Sequence, residues 1–164
     1  MIQEKEKSFC KKINVIIDVI SAILVVTMIV GTFFIWKAAP DIVPTHFNFK
    51  GQVDNYGSKN IVFLLLVIAV ICYVGMTVLS KYPKIYNYCI EITPENKEKQ
   101  YLMAQTCIKL LNLEVAAIFL YIQLKIGAMM SSGNESFSIA IVPITLIVLA
   151  ATIGIYVWQS IKNK

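Results

Sequence analysis

Arginine is missing from this sequence of 164 residues; all 15 of its cationic residues are lysines. Base-edge readout in nucleic-acid grooves and bidentate carboxylate clamps lean on the planar guanidinium group, so nucleic acid is not an expected partner. Histidine occurs once, at His46, and neither HExxH nor a second histidine accompanies it. That removes the common catalytic zinc patterns. The four cysteines, Cys10, Cys72, Cys89 and Cys107, form no CxxC pair and no other ligand spacing, which predicts neither a zinc site nor a disulfide framework. There is no Gly-x-Ser-x-Gly and no pair of aspartates inside an apolar run, so the reading is of a non-enzymatic protein without metal or cofactor. Charge itself is scarce, at 15% of residues against roughly 25% in soluble domains.

Apolar residues fill that space: they make up 57% of the chain, and mean hydropathy is +0.68. They cluster in four runs, near residues 13–36, 61–80, 103–126 and 137–158, each close to the ~20 residues that a helix needs to cross a ~30 Å hydrocarbon core. The expected fold is all-α: one integral membrane four-helix bundle spanning residues 1–164, with a structured loop at 37–60 between helices 1 and 2. Membrane lipid is its first partner, and self-association stays open. The first run is too long for an export signal, and Ala38-Ala39-Pro40 makes a poor cleavage site, so an uncleaved anchor is expected. In the third run Lys109, Asn112, Glu114 and Gln123 interrupt the apolar pattern, which predicts a helix facing its neighbours more than lipid. Thr93, Pro94 and Glu95 write a helix start ahead of it, as N-cap, first position and first-turn acid, with the helix running to Gly127. Pro143 is expected to kink the fourth span.

Orientation follows from lysine placement. Lys5, Lys7, Lys11, Lys12, Lys81, Lys84, Lys97, Lys99, Lys162 and Lys164 fall at one end of the spans, against Lys37, Lys50, Lys59 and Lys125 at the other. The positive-inside rule then places both termini in the cytoplasm and the loop at 37–60 outside, in a multi-pass membrane chain.

Inside the spans, Asp18 and Lys109 lie at similar depth and are expected to pair. Glu114 falls near the bilayer midplane with Asn112 close by, and about 140° of helix separates it from Lys109. Two readings of Glu114 stand: a proton-linked or substrate-binding carboxylate, and a hydrogen-bonded glutamate holding helices together.

The loop is unlike the rest of the chain. Pro40 and Pro44 fix backbone angles, Lys50-Gly51 and Asn55-Tyr56-Gly57 read as turns, and Thr45 to Phe49 alternates like a short strand. His46 with Asp41 or Asp54 is a thin set for a metal; His46 as an acid sensor and hydrogen bonding of His46, Asn48, Asp54 and Ser58 within the loop are the other readings. Asn134-Glu135-Ser136 forms a glycosylation sequon on the outer side.

Pro40, Pro44-Thr45-His46-Phe47-Asn48, Gly51, Asp54 and Gly57-Ser58-Lys59 together resemble the signature of an uncharacterised bacterial membrane domain found at the N-terminus of Sdp-type immunity proteins, which protect a toxin-producing cell from its own secreted toxin. The resemblance covers roughly residues 13–80. The chain is similar to the short, four-span members more than to the larger ones with further spans and a C-terminal domain, and the resemblance implies a bacterial cytoplasmic membrane, where the Asn134 sequon is read as chance. It implies toxin or bacteriocin immunity, or envelope sensing, acting through the outer loop on a secreted toxin peptide or another membrane protein, and it supplies no catalytic residues. The alternative expectation is a small transporter, or an accessory subunit of one, that uses Glu114.

Overall fold

The computed structural model describes residues 2–132 and 140–164. Helix α1, Ile2–Ala38, leads into a β-hairpin of β1, Ile42–Phe47, and β2, Val53–Ser58. Helix α2, Ile61–Leu79, a single 3-10 turn at Pro83–Ile85, helix α3, Lys97–Ser132, and helix α4, Ile141–Lys162, complete the chain. All four α-helices are long and apolar enough to cross a membrane. The N-terminus of α1 and the C-terminus of α4 lie at one end of the assembly, here the terminal end, and the hairpin caps the other.

The two-stranded sheet corrects the all-α expectation. Pro40 ends α1, because proline lacks the N–H that a further turn needs. Three β-branched residues, Ile42, Val43 and Thr45, then favour an extended strand.

Helix α1 extends beyond the apolar run through its lysine-rich tail. At 1.5 Å per residue its 37 residues measure about 55 Å, and α3 is about as long, so both exceed a ~30 Å core and project into water. One stripe of α1 is buried: Asn14, Ile17, Ser21, Val25, Met28 and Thr32, spaced by three and four residues as one helical face requires. Ser21 and Thr32 turn their hydroxyls to Ile17 O (2.8 Å) and Met28 O (2.9 Å), so neither polar group is stranded. Val15, Val19, Ile23, Val26, Val30 and Phe34 point outward, where a bilayer accepts them.

Helix α3 is the centre. It packs against α1, α2 and α4, whereas α1 and α4 barely meet. Its polar residues explain why. Lys109 pairs with Asp18 of α1, and Gln123 Nε2 donates to Met28 O (2.8 Å) and to Thr32 Oγ1 of the same helix. Toward α2, Gln105 Nε2 donates to Ser80 O (3.1 Å), and Asn112 Nδ2 donates to Thr77 Oγ1 (3.0 Å) and Tyr73 O (3.3 Å). Toward α4, Gln100 Nε2 donates to Ser160 O (3.1 Å) and Gln100 Oε1 accepts from Ser160 Oγ (2.7 Å), while Thr152 Oγ1 donates to Glu114 Oε1 (2.5 Å). Within each set the two α3 positions differ by seven or fourteen residues. Seven residues are close to two turns, which keeps them on one face.

Helices α1 and α3 run parallel in a fixed register. Lys7 meets Glu98, Asp18 meets Lys109 and Thr32 meets Gln123, each pair 91 residues apart in sequence. Near the hairpin end the two helices approach closely, and a Cβ on Gly127 would lie 2.8 Å from Ile35 Cδ1. Gly127 is therefore a packing position and not the end of α3, which continues to Ser132.

Two further expectations change. Thr93 and Asn96 exchange side-chain and backbone hydrogen bonds, Asn96 Oδ1 accepting from Thr93 N (3.0 Å) and Thr93 Oγ1 from Asn96 N (3.4 Å). This is a capping-box arrangement, but regular helix begins only at Lys97. Pro143 sits in the first turn of α4, where its missing N–H has no intrahelical role, so it starts that helix and does not kink it. The sequon at Asn134 and the expected start of the fourth span near Phe137 lie outside the described residues.

Candidate functional site: the hairpin between α1 and α2

The hairpin stands on two tied feet. Trp36 Nε1–H donates to Asn60 Oδ1 (2.9 Å), joining the end of α1 to the start of α2. Lys59 reinforces the junction: its Nζ lies 3.1 Å from Asp41 Oδ1, donates to Ala39 O (3.4 Å) and sits 5.3 Å from the centroid of the Trp36 ring. Phe33 and Trp36 pack their rings on Phe63 at 5.7 and 5.9 Å. Ser58 Oγ accepts from Asn60 N (3.3 Å) where β2 hands over to α2.

Antiparallel pairing runs from Ile42 opposite Ser58 to Phe47 opposite Val53, with Val43 fully buried and Pro44 opposite Tyr56. The register is interrupted twice. Thr45 is an extra residue on β1 and Asp54 an extra residue on β2, on either side of the His46–Asn55 pair. Such bulges bend a strand and re-aim its side chains. Here they bring His46 Nδ1 and Asp54 Oδ1 to 2.5 Å. Both side chains remain substantially exposed.

Asn48 builds the tip. Its Oδ1 accepts from Lys50 N (2.8 Å) and Gln52 N (3.1 Å), and its backbone pairs with Gln52 O and Gly51 N. Gly51 closes the turn at φ 75°, a left-handed angle that glycine adopts without a Cβ clash. The expected turn at Lys50-Gly51 is therefore present. Asn55-Tyr56-Gly57, read as a second turn, instead lies in β2. The reason for glycine at 57 is space: an added Cβ would stand 3.0 Å from Thr45 Cγ2 across the hairpin.

The eight loop residues singled out by sequence thus occupy one unit: Asn48 and Gly51 at the tip, His46 and Asp54 at the bulges, Pro44 and Gly57 within the strands, Ser58 and Lys59 at the feet. Asp41 is held by Lys59 and does not join His46. Among the described residues no group of three or more histidine, cysteine or acidic side chains is arranged to hold a metal ion. Sequence reasoning passed over Phe49, whose side chain is fully exposed at the tip. The available signal was an aromatic between Asn48 and Lys50-Gly51, since the middle of a four-residue turn projects away from the strands.

The intramembrane polar residues form a separate group. Asp18 and Lys109 pair as expected. Asn112 and Glu114 do not come together, because they face α2 and α4 respectively. Glu114 Oε2 and Asn112 Oδ1 are buried without a hydrogen-bond partner.

A family model described as a domain of unknown function, DUF1648, matches residues 22–72. The matched stretch runs from α1 through the whole hairpin into α2 and includes each of the eight loop residues. No curated protein matches the chain, and no solved structure does.

Proposed function

We propose that the chain is a non-enzymatic membrane protein that works through the hairpin, in immunity to a secreted membrane-active toxin or in sensing of the envelope, with its terminal end in the cytoplasm. The observation that carries this reading is a tied-down hairpin that presents a bare aromatic, Phe49, at its tip. Internal hydrogen bonds at Asn48 and the Lys59 brace reduce the conformational freedom that the loop loses on meeting a partner, which raises affinity without added contact. An aromatic ring held in the open on a braced turn offers a large contact area to a partner. The match at residues 22–72 adds that this segment recurs as a unit. The lysine asymmetry supports the orientation.

The test is survival of a toxin-sensitive host that expresses variants at measured protein level. His46→Ala, Asn48→Ala and Asp54→Ala are expected to abolish protection while leaving membrane abundance close to that of the unaltered protein. Phe49→Ser should do the same. A transport reading has one observation in its favour, the buried and unpartnered Glu114 Oε2. If the loop variants protect fully while Glu114→Gln does not, that reading replaces the first.

A further inference from the structure

At the terminal end, α1 and α4 both lean on α3 without closing on each other, and a cleft of about 1310 Å³ opens between them. Its inner walls are apolar: Leu102, Met103 and Leu110 of α3 face Ile155 of α4. It ends at Leu110 and Thr152, whose hydroxyl is already committed to Glu114. From Lys99 at the mouth to Leu110 at the bottom is eleven residues, or about 16 Å along the helix, close to the depth of one leaflet. Both long helices project beyond the apolar core at this end, so the mouth lies at the level of lipid headgroups.

Charge at the mouth is divided. The basic groups gather on the α4 side, where Lys162 stands 5.1 Å from the Trp158 ring centroid and Lys99 Nζ donates to Asn163 Oδ1 (2.5 Å). Acidic groups come from the segment before α3, at Glu91 and Glu95, while Lys7 and Glu98 close on each other on the α1 side. Glu95 is held below the usual carboxylate range by its hydrogen bond with Thr93, so it stays an anion. Four acidic and four basic residues line the cleft in all, a rim of zero formal charge.

We propose that this cleft binds one phospholipid with a primary-ammonium headgroup, its phosphate on the lysines of the α4 side, its ammonium on Glu91 and Glu95, and an acyl chain against Leu102, Leu110 and Ile155. A purely anionic lipid answers the lysines but meets the acidic side unpaired. A quaternary headgroup carries the charge without N–H donors for the carboxylates. The site is independent of the hairpin and of the function proposed for it.

The test is native mass spectrometry of the whole protein, delipidated in mild detergent and offered equal amounts of phosphatidylethanolamine, phosphatidylglycerol and phosphatidylcholine. The expected result is one retained lipid per chain, with phosphatidylethanolamine several-fold ahead of both others. Glu91→Gln, an exposed change that leaves the helices untouched, should reduce the lead over phosphatidylcholine to near parity. Lys162→Ala should weaken retention of phosphatidylethanolamine and phosphatidylglycerol alike, and Leu110→Trp should exclude all three. Equal retention of the three lipids by the unaltered protein, preference for phosphatidylglycerol, or a phosphatidylethanolamine lead that survives both Glu91→Gln and Leu110→Trp would each overturn the proposal.

Discussion

Asp18 and Lys109 show how a single pair sets the terms for two helices. An ion left alone at mid-helix costs roughly 2.5 to 3.5 kcal/mol on insertion scales, so each residue makes the other tolerable. Asp18→Ala and Lys109→Ala are each expected to lower folded yield, and the double change to recover part of the loss. A double-mutant cycle followed by thermal unfolding in detergent should show a coupling on the order of 1 kcal/mol or more; strictly additive losses would rule out the contact. The two hairpin glycines are constrained differently. Gly51→Ala forces a Cβ into the left-handed region at a cost of about 1–2 kcal/mol. Gly57→Val instead drives a branched side chain into Thr45, and Thr45→Ala should relieve it while doing nothing for Gly51→Ala. Limited proteolysis of the hairpin in purified protein separates the two cases.

Among the elements, α3 was only half legible. Its interruptions by lysine, asparagine, glutamate and glutamine announced a helix that faces neighbours, and the 140° between Lys109 and Glu114 already required two different partners. The third partner and the assignment of each face depend on which helices lie where, which is long-range information that spacing along one helix does not carry. The hairpin followed the same division. Proline, glycine and the alternation after Thr45 marked β1 and the tip, but β2 was hidden because Asn-Tyr-Gly favours turns locally and becomes a strand only when β1 lies beside it. Pro143 and Gly127 misled for a related reason, since each residue type has one use as a breaker and another as a fitted part. The close approach at Gly127 can be tested directly. Gly127→Val should lower the unfolding temperature by pushing α1 away from α3, and Ile35→Ala in the same chain should restore part of it by vacating the space.

For the molecule as a whole, the arrangement is a hub and three spokes, with none of the most apolar stretch of α4 buried within the chain. Its orientation is open to a chemical test. Phe49→Cys, at a fully exposed position that is free of backbone strain, should react with a membrane-impermeant thiol reagent in intact cells, and the native Cys10 and Cys89 should react only after the cells are opened. Labelling of Cys10 in sealed cells would invert the topology. The 91-residue offset between α1 and α3 also has a consequence for synthesis. While the ribosome has delivered only α1, the hairpin and α2, Asp18 has no lysine to meet and the polar side of Thr32 has no glutamine. The nascent hairpin of helices must hold these groups in wait until α3 emerges. Since α3 is itself the least apolar candidate span, its insertion is expected to be helped by the waiting groups of α1, so that insertion and docking are coupled.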